Sequence, residues 1–126
     1  ATYVAYVWQE RPGYSKFGQY TGNGSSDGVF IHLGFRARWF MWKIISGSGG
    51  WGLIDTARDT YNVSGKQLGP DDSDPEASYT VLDFTSTGIK MRNTFGDTNV
   101  SGGKFIYMAF AEQPGTTPFD TFTNAR

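Results

Sequence analysis

Three groups of residues carry side chains that chemistry could use. Gly24-Ser25-Ser26-Asp27-Gly28 satisfies the Gly-x-Ser-x-Gly pattern of a hydrolase nucleophile elbow, which exposes its serine on a strained turn between a strand and a helix. Val29 to Leu33 follows and reads as a strand, so a hairpin loop is expected. From Gly22 the glycines also miss the phosphate-loop spacing, and no βαβ unit follows. Asp71-Asp72-Ser73-Asp74-Pro75-Glu76 places four carboxylates in six residues, the oxygen-rich kind of loop that suits Ca²⁺. It lacks the turn glycine and full spacing of an EF-hand, so a solvated acidic loop is expected, with Asp71, Asp72, Asp74 and Glu76 as the calcium alternative. Asp55, Asp59 and Asp83 could supply the carboxylate pair of a glycoside hydrolase, about 5 to 10 Å apart across a cleft, but nothing in the sequence pairs them. No catalytic residue and no cofactor are expected, and the chain is read as a non-enzyme.

Composition narrows the field further. The 126 residues include no Cys and a single His, which excludes disulfides, thiolate chemistry and two-histidine metal sites. His32 alternates with Val29 and Phe30 in an apparent strand and is expected to be a packed or hydrogen-bonded β residue. Eleven Lys and Arg against twelve Asp and Glu leave a formal charge of −1, so no field gathers polyanions, and nucleic acid is not an expected partner. The longest apolar stretch, Trp39 to Ile45, is interrupted by Lys43 and falls far short of the roughly 20 residues that cross a bilayer, so no membrane insertion is expected.

Aromatic residues are the surplus: 4 Trp, 7 Tyr and 10 Phe, more than a small core uses. Exposed Trp or Tyr beside Asn, Asp and Arg grips sugar rings by stacking and hydrogen bonding. On that chemistry Tyr14, Tyr20, Asn23, Asp27, Trp51, Arg58 and Tyr61 are the expected ligand-binding residues. The same surplus suits subunit contacts, so for any one of Trp8, Tyr14, Phe17, Tyr20, Trp39, Trp42 and Trp51 core or oligomer packing is the expected role.

The elements that must position these side chains are strands. Short Thr, Val, Ile and Tyr runs separated by Gly, Asn, Asp and Ser predict an all-β, antiparallel sandwich or jelly-roll-like fold with little or no helix; Asp55 to Val63 could carry one turn. Eight strands are expected: Thr2–Gln9, Phe17–Thr21, Val29–Leu33, Arg36–Ile45, Trp51–Thr56, Tyr79–Phe84, Ile89–Asn93 and Lys104–Glu112. Gly-rich turns at Ser46–Gly50 and Thr85–Gly88 close two hairpins. In the long strand, Arg38, Phe40, Trp42 and Ile44 share one face and Ala37, Trp39, Met41 and Lys43 the other, which makes it central or one face an interface. Ile89 and Met91 oppose Lys90 and Arg92, as in a strand with one wet face. Tyr61–Ser78 reads as a long surface loop.

The two ends of the chain repeat each other. Residues 3–13, from Tyr3-Val4-Ala5-Tyr6 to Glu10-Arg11-Pro12-Gly13, align without a gap on residues 105–115, from Phe105-Ile106-Tyr107-Met108 to Glu112-Gln113-Pro114-Gly115, at an offset of 102 residues. Such self-similarity signals tandem modules. The expected division is residues 1–13 as the closing strand of a preceding repeat, or else the first strand of this domain. Residues 14–115 are then the sandwich module and 116–126 a tail that clings to a neighbour or is disordered. The opening Ala-Thr-Tyr in place of Met fits a chain cut from something longer.

The blocks from Glu10 to Gly28, His32-Leu33-Gly34-Phe35-Arg36, Trp51 to Asp55, Asp83 to Lys90 and Gly102 to Glu112 together resemble an uncharacterised module that recurs in tail-fibre and other virion proteins of tailed bacteriophages, many of them marine. Ala37 departs from the usual Pro of the Gly-Phe-Arg-Pro block, and Thr123-Asn124-Ala125-Arg126 resembles the C-terminal ends of such proteins. The resemblance implies a virion protein made in the bacterial cytoplasm, part of a tail fibre or similar appendage, trimeric if fibre-borne. Such a module is expected to contact other virion proteins and to bind a host-surface glycan or receptor through loops at Gly22–Gly28, Ser46–Gly50 and Tyr61–Ser78. An architectural capsid-decorating or appendage-building module without a receptor is the alternative, and a glycan depolymerase acting through Asp55 or Asp83 is the third.

Overall fold

The computed structural model describes residues 1–112. Residues 113–126, with the expected tail, lie outside the described residues. Eight strands build the fold: β1 (Ser15–Thr21), β2 (Phe30–His32), β3 (Ala37–Ile44), β4 (Trp51–Asp55), β5 (Ser64–Gln67), β6 (Ala77–Phe84), β7 (Gly88–Met91) and β8 (Lys104–Ala111). They form two four-stranded antiparallel sheets, ordered β1-β8-β3-β4 and β2-β7-β6-β5. The expected β-sandwich is present, with no helix among the described residues.

The inner faces pack Phe40, Trp42, Ile54 and Phe105 against Val81, Leu82, Phe84, Ile89 and Met91, all at most 1% exposed. Burying each side chain of this size contributes about 1.5–3 kcal/mol. Both expected hairpins form, β3 with β4 and β6 with β7, and β3 lies inside its sheet between β8 and β4. Ile89 and Met91 point into the core, as their alternation predicts.

Four expectations are corrected. Thr2–Gln9 makes no ladder; these residues are exposed and the first strand begins at Ser15. The expected loop Tyr61–Ser78 contains β5, which has no apolar period to announce it. Backbone pairing to β6 holds it, together with the Asp59 carboxylate, which accepts the N–H groups of Gly65 at 2.7 Å and Lys66 at 3.1 Å. In β3 the register shifts between Ala37 and Trp39, so Ala37 is buried with Phe40, Trp42 and Ile44 while Arg38 turns to solvent. His32 is exposed at the end of the edge strand β2 rather than packed.

Candidate functional site

The β1-β8-β3-β4 sheet is apolar on both faces. Along β8, Phe105, Tyr107, Ala109 and Ala111 are buried, and Ile106, Met108 and Phe110 alternate with them onto the outer side. Trp39 and Met41 of β3, Phe17 of β1, and Trp51 and Leu53 of β4 stand half-buried on that same side. The outer face of an antiparallel sheet is ordinarily polar; this one carries aromatic or thioether side chains across all four strands.

Two clusters organise the face. At one end the Phe110 ring meets Trp39 at 5.5 Å and Tyr14 and Phe17 at 6.1 Å each, all edge-on, a geometry worth about 0.5–1.5 kcal/mol per pair. Toward the other end a hollow of about 490 Å³ lies over Met41, Ile106 and Met108, walled by Trp8, Phe17 and Trp51. Lys43 reaches the Trp51 side, its Nζ 5.9 Å from the ring centroid and donating to the Gly49 carbonyl at 2.8 Å. Gln19 is the polar group at the hollow's rim. Gly18 stands opposite Tyr107 in the β1–β8 ladder: a Cβ there would come within 2.8 Å of the Tyr107 Oη, so the ring would have to move. Burial pushes the Tyr107 phenol above its ordinary pKa, and the Glu10 carboxylate adds to the rise.

The sequence-predicted ligand residues do not gather. Tyr20 is a core residue, 8% exposed, stacked on Phe105 at 4.7 Å and donating to the Thr98 carbonyl at 2.8 Å. Burial, with Asp97 nearby, pushes its phenol far up in pKa. Asn23 braces its own loop: its Oδ1 accepts from Nδ2 of fully buried Asn99 at 2.9 Å, and its N–H donates to Asn99 Oδ1 at 3.1 Å. Asp27 pairs with Lys90 at 2.7 Å, and the Lys90 hydrogen bond followed by its charge lowers the Asp27 pKa. Arg58 is held between Asp55 at 2.6 Å and Glu76 at 2.8 Å. Tyr61 is 83% exposed, and its neighbour Asn62 bonds to Phe84. Trp51 and Tyr14 do share the outer face, but at its opposite ends.

The loops divide as well. Gly22–Gly28 joins the 93–103 segment through Asn99, and Gly49 lies beside Asp97, so these loops share one end of the sandwich. The Tyr61–Ser78 segment reaches both ends: Asn62 bonds Phe84 at the opposite end, where Arg36 also donates to the Phe84 carbonyl, while Asp71 returns to Gly50 and Trp51 at the first. Ser26, the serine of the Gly-x-Ser-x-Gly pattern, is exposed and the next element is strand β2, not the helix of a nucleophile elbow; the expected hairpin is corrected too, because β1 and β2 belong to different sheets and the segment crosses between them.

The carboxylates are engaged elsewhere. Burial would raise the Asp55 pKa, but hydrogen bonds from the Arg58 side chain and backbone outweigh it and the net shift is downward. Asp83 faces Arg92 at 3.6 Å. In the acidic loop Asp71 accepts the Trp51 N–H at 3.1 Å, Asp72 accepts the Asp74 N–H at 3.0 Å and Glu76 belongs to Arg58. Among the described residues no three His, Cys, Asp or Glu side chains gather as metal ligands, those of Asp71, Asp72, Asp74 and Glu76 included.

Met41, Ile106 and Met108 lie outside the expected ligand-binding set. The signal for them in the sequence is that β3 and β8 each carry apolar residues at odd and even positions alike, which a strand with one wet face does not. In comparisons with known proteins, the family model described as Domain of unknown function (DUF7483) matches residues 1–114. No curated protein and no solved structure matches.

Proposed function

This chain belongs to the DUF7483 family, and we propose that it is a non-enzymatic module of a phage virion appendage that works by adhesion, the outer face of its β1-β8-β3-β4 sheet packing against another protein subunit of the particle. The single observation that carries the reading is that face: apolar across four strands, with Met, Trp and Phe, the side chains enriched at subunit interfaces. The virion setting rests on the resemblance of the Glu10–Gly28 and Gly102–Glu112 blocks to modules of tail-fibre proteins. Few polar groups converge on the face, whereas a sugar site needs several to fix hydroxyls. Assembly, with sister copies as the first partner, is therefore the better use of it, and a fibre-borne copy is trimeric. A reconstruction of the virion tests this: the face around Met41 and Met108 is expected to lie buried against protein. A copy at an exposed tip with that face open to solvent overturns the reading.

Host-surface binding is the second reading, favoured by the half-exposed Trp51 ring with Lys43 beside it and Gln19 across the hollow. It predicts that the purified, assembled protein competes with phage adsorption and that Trp51→Ala abolishes the competition.

A further inference from the structure

Residues 1–10 form no ladder: Trp8 walls the hollow and the Glu10 carboxylate accepts the Phe17 N–H at 3.1 Å, but Tyr3, Val4, Tyr6 and Val7 are apolar and 77–90% exposed. Chains that fold alone seldom leave a run of this kind open. Its sequence counterpart, at the offset of 102 residues, is β8, which has a ladder on each side, to β1 and to β3. Local sequence therefore suits the arm for the middle of a sheet, and the chain provides no such place for it, because β8 already fills it.

We propose that Thr2–Gln9 is the eighth strand of another copy of this fold, inserted between that copy's β1 and β3 where residues 104–111 stand here. The alternation transfers position by position. Tyr3, Ala5 and Val7 fall where Phe105, Tyr107 and Ala109 point into the core, and Val4, Tyr6 and Trp8 fall where Ile106, Met108 and Phe110 face outward. Tyr3 takes the place of the ring stacked on Tyr20, and Trp8 that of the ring among Tyr14, Phe17 and Trp39. Glu10 takes the place of Glu112, which pairs with Arg36 at 3.3 Å. Gln9 replaces Ala111, buried at the strand end, and is the one polar side chain that the transfer sets at a buried position.

One position bears on the acceptor's sequence. Ala5 replaces Tyr107, whose ring lies against Gly18 opposite it. A strand with Ala there leaves that space open opposite Gly18, and a larger residue at position 18 of the acceptor would fill it.

The connector is built to hold two sandwiches together. Ser15 Oγ donates to the Gln9 carbonyl at 2.8 Å, and Arg11 and Ser15 exchange backbone hydrogen bonds at 3.2 and 2.9 Å. Gly13 closes the turn at φ 74°, a conformation open to glycine at no steric cost. The donated strand thus passes into β1 through a tied turn, Glu10–Gly13, rather than a slack linker. This inference does not depend on the virion setting.

A tandem protein tests it, with residues 1–102 running directly into a second complete chain so that the second arm supplies the missing strand of the first module. Two folded modules are expected by calorimetry and by resistance to proteolysis. The first should melt below the second because of the space left at Ala5, and Ala5→Tyr at the junction should raise it. Val7→Asp at the junction should lower the first module's melting temperature by at least about 10 °C, Tyr6→Asp should lower it less, and Val7→Asp in the single chain should leave the melting temperature unchanged. A first module that stays unfolded with both the native and the Ala5→Tyr junction overturns the proposal. So does a single chain that Val7→Asp unfolds, since the arm would then belong to its own module's core.

Discussion

The two sheets turn opposite kinds of surface to the outside. On the β2-β7-β6-β5 sheet, Ile89 and Met91 are fully buried and the residues between and after them, Lys90 and Arg92, pair with Asp27 at 2.7 Å and Asp83 at 3.6 Å, with the half-exposed Phe30 opposite Lys90 an apolar exception. On the β1-β8-β3-β4 sheet the matching outer positions hold Trp39, Met41, Ile106, Met108 and Phe110. A sandwich needs one apolar face per sheet, and the charged sheet meets that minimum. The second apolar face of the other sheet does nothing for a lone module, which is why contact with a partner is the use proposed for it.

The sharpest way to break this comparison is inside β3, where one strand carries a tryptophan on each face. Trp42 is 1% exposed, and its indole N–H donates to the Asp97 carbonyl at 2.9 Å. Trp42→Ala should cost about 3–5 kcal/mol in denaturant unfolding, whereas Trp39→Ala, half-buried on the outer face, should cost about 1 kcal/mol. Equal losses would mean that the outer face is as much a core as the inner one.

Charge placed on the outer face comes next. Ile106→Asp sits opposite Lys43 in the ladder and fills no core position, so it should change stability by less than about 1 kcal/mol. If the face is an interface, it should also abolish the concentration-dependent association expected of the unaltered chain in sedimentation velocity. Lys90→Asp, on the charged sheet, should leave association as it was.

Most of this contrast could be read from residue order, and the parts that could not have physical reasons. Alternation in β7 gave the wet face directly, and the lack of alternation in β3 and β8 marked the double-sided sheet. The bulge after Ala37 is not legible in the sequence because a register shift leaves no trace in polarity. Nor is strand β5, because Ser64-Gly65-Lys66-Gln67 is held by backbone pairing and the Asp59 carboxylate. Tyr20 and Asn23 are of types that suit sugars; only the tertiary contacts with Phe105, Thr98 and Asn99 show that their polar atoms are already bonded within the fold. The arm is the reverse case, strand-like in sequence but without a strand to pair with in this chain.

A smaller effect concerns the acid side of pH. Asp55 ends β4 in register with Trp39, and Arg58 neutralises it. Its carboxyl titrates below the ordinary value of about 3.9. Its stabilisation is therefore fully present above that value and is lost as pH falls through the lower folded one. Asp55→Asn should lower the melting temperature at pH 7 and lose its effect near pH 2. A difference that persists unchanged at pH 2 would mean that packing, not the ion pair, is what the carboxylate contributes.

The smallest effect belongs to the charged sheet and marks the other limit of the comparison. Asp27 and Lys90 are 2.7 Å apart, but the Asp27 side chain is 89% exposed. Water and salt screen such a pair, and holding two mobile side chains in one geometry offsets most of the Coulomb gain. The contact lowers the Asp27 pKa, first through the Lys90 hydrogen bond and then through its charge; folding does not depend on it. Asp27→Asn should leave the melting temperature at pH 7 within measurement error, at low and high salt alike. A clear loss at low salt that disappears at high salt would give the ion pairs of this sheet a structural weight that the comparison assigns to the apolar face of the other.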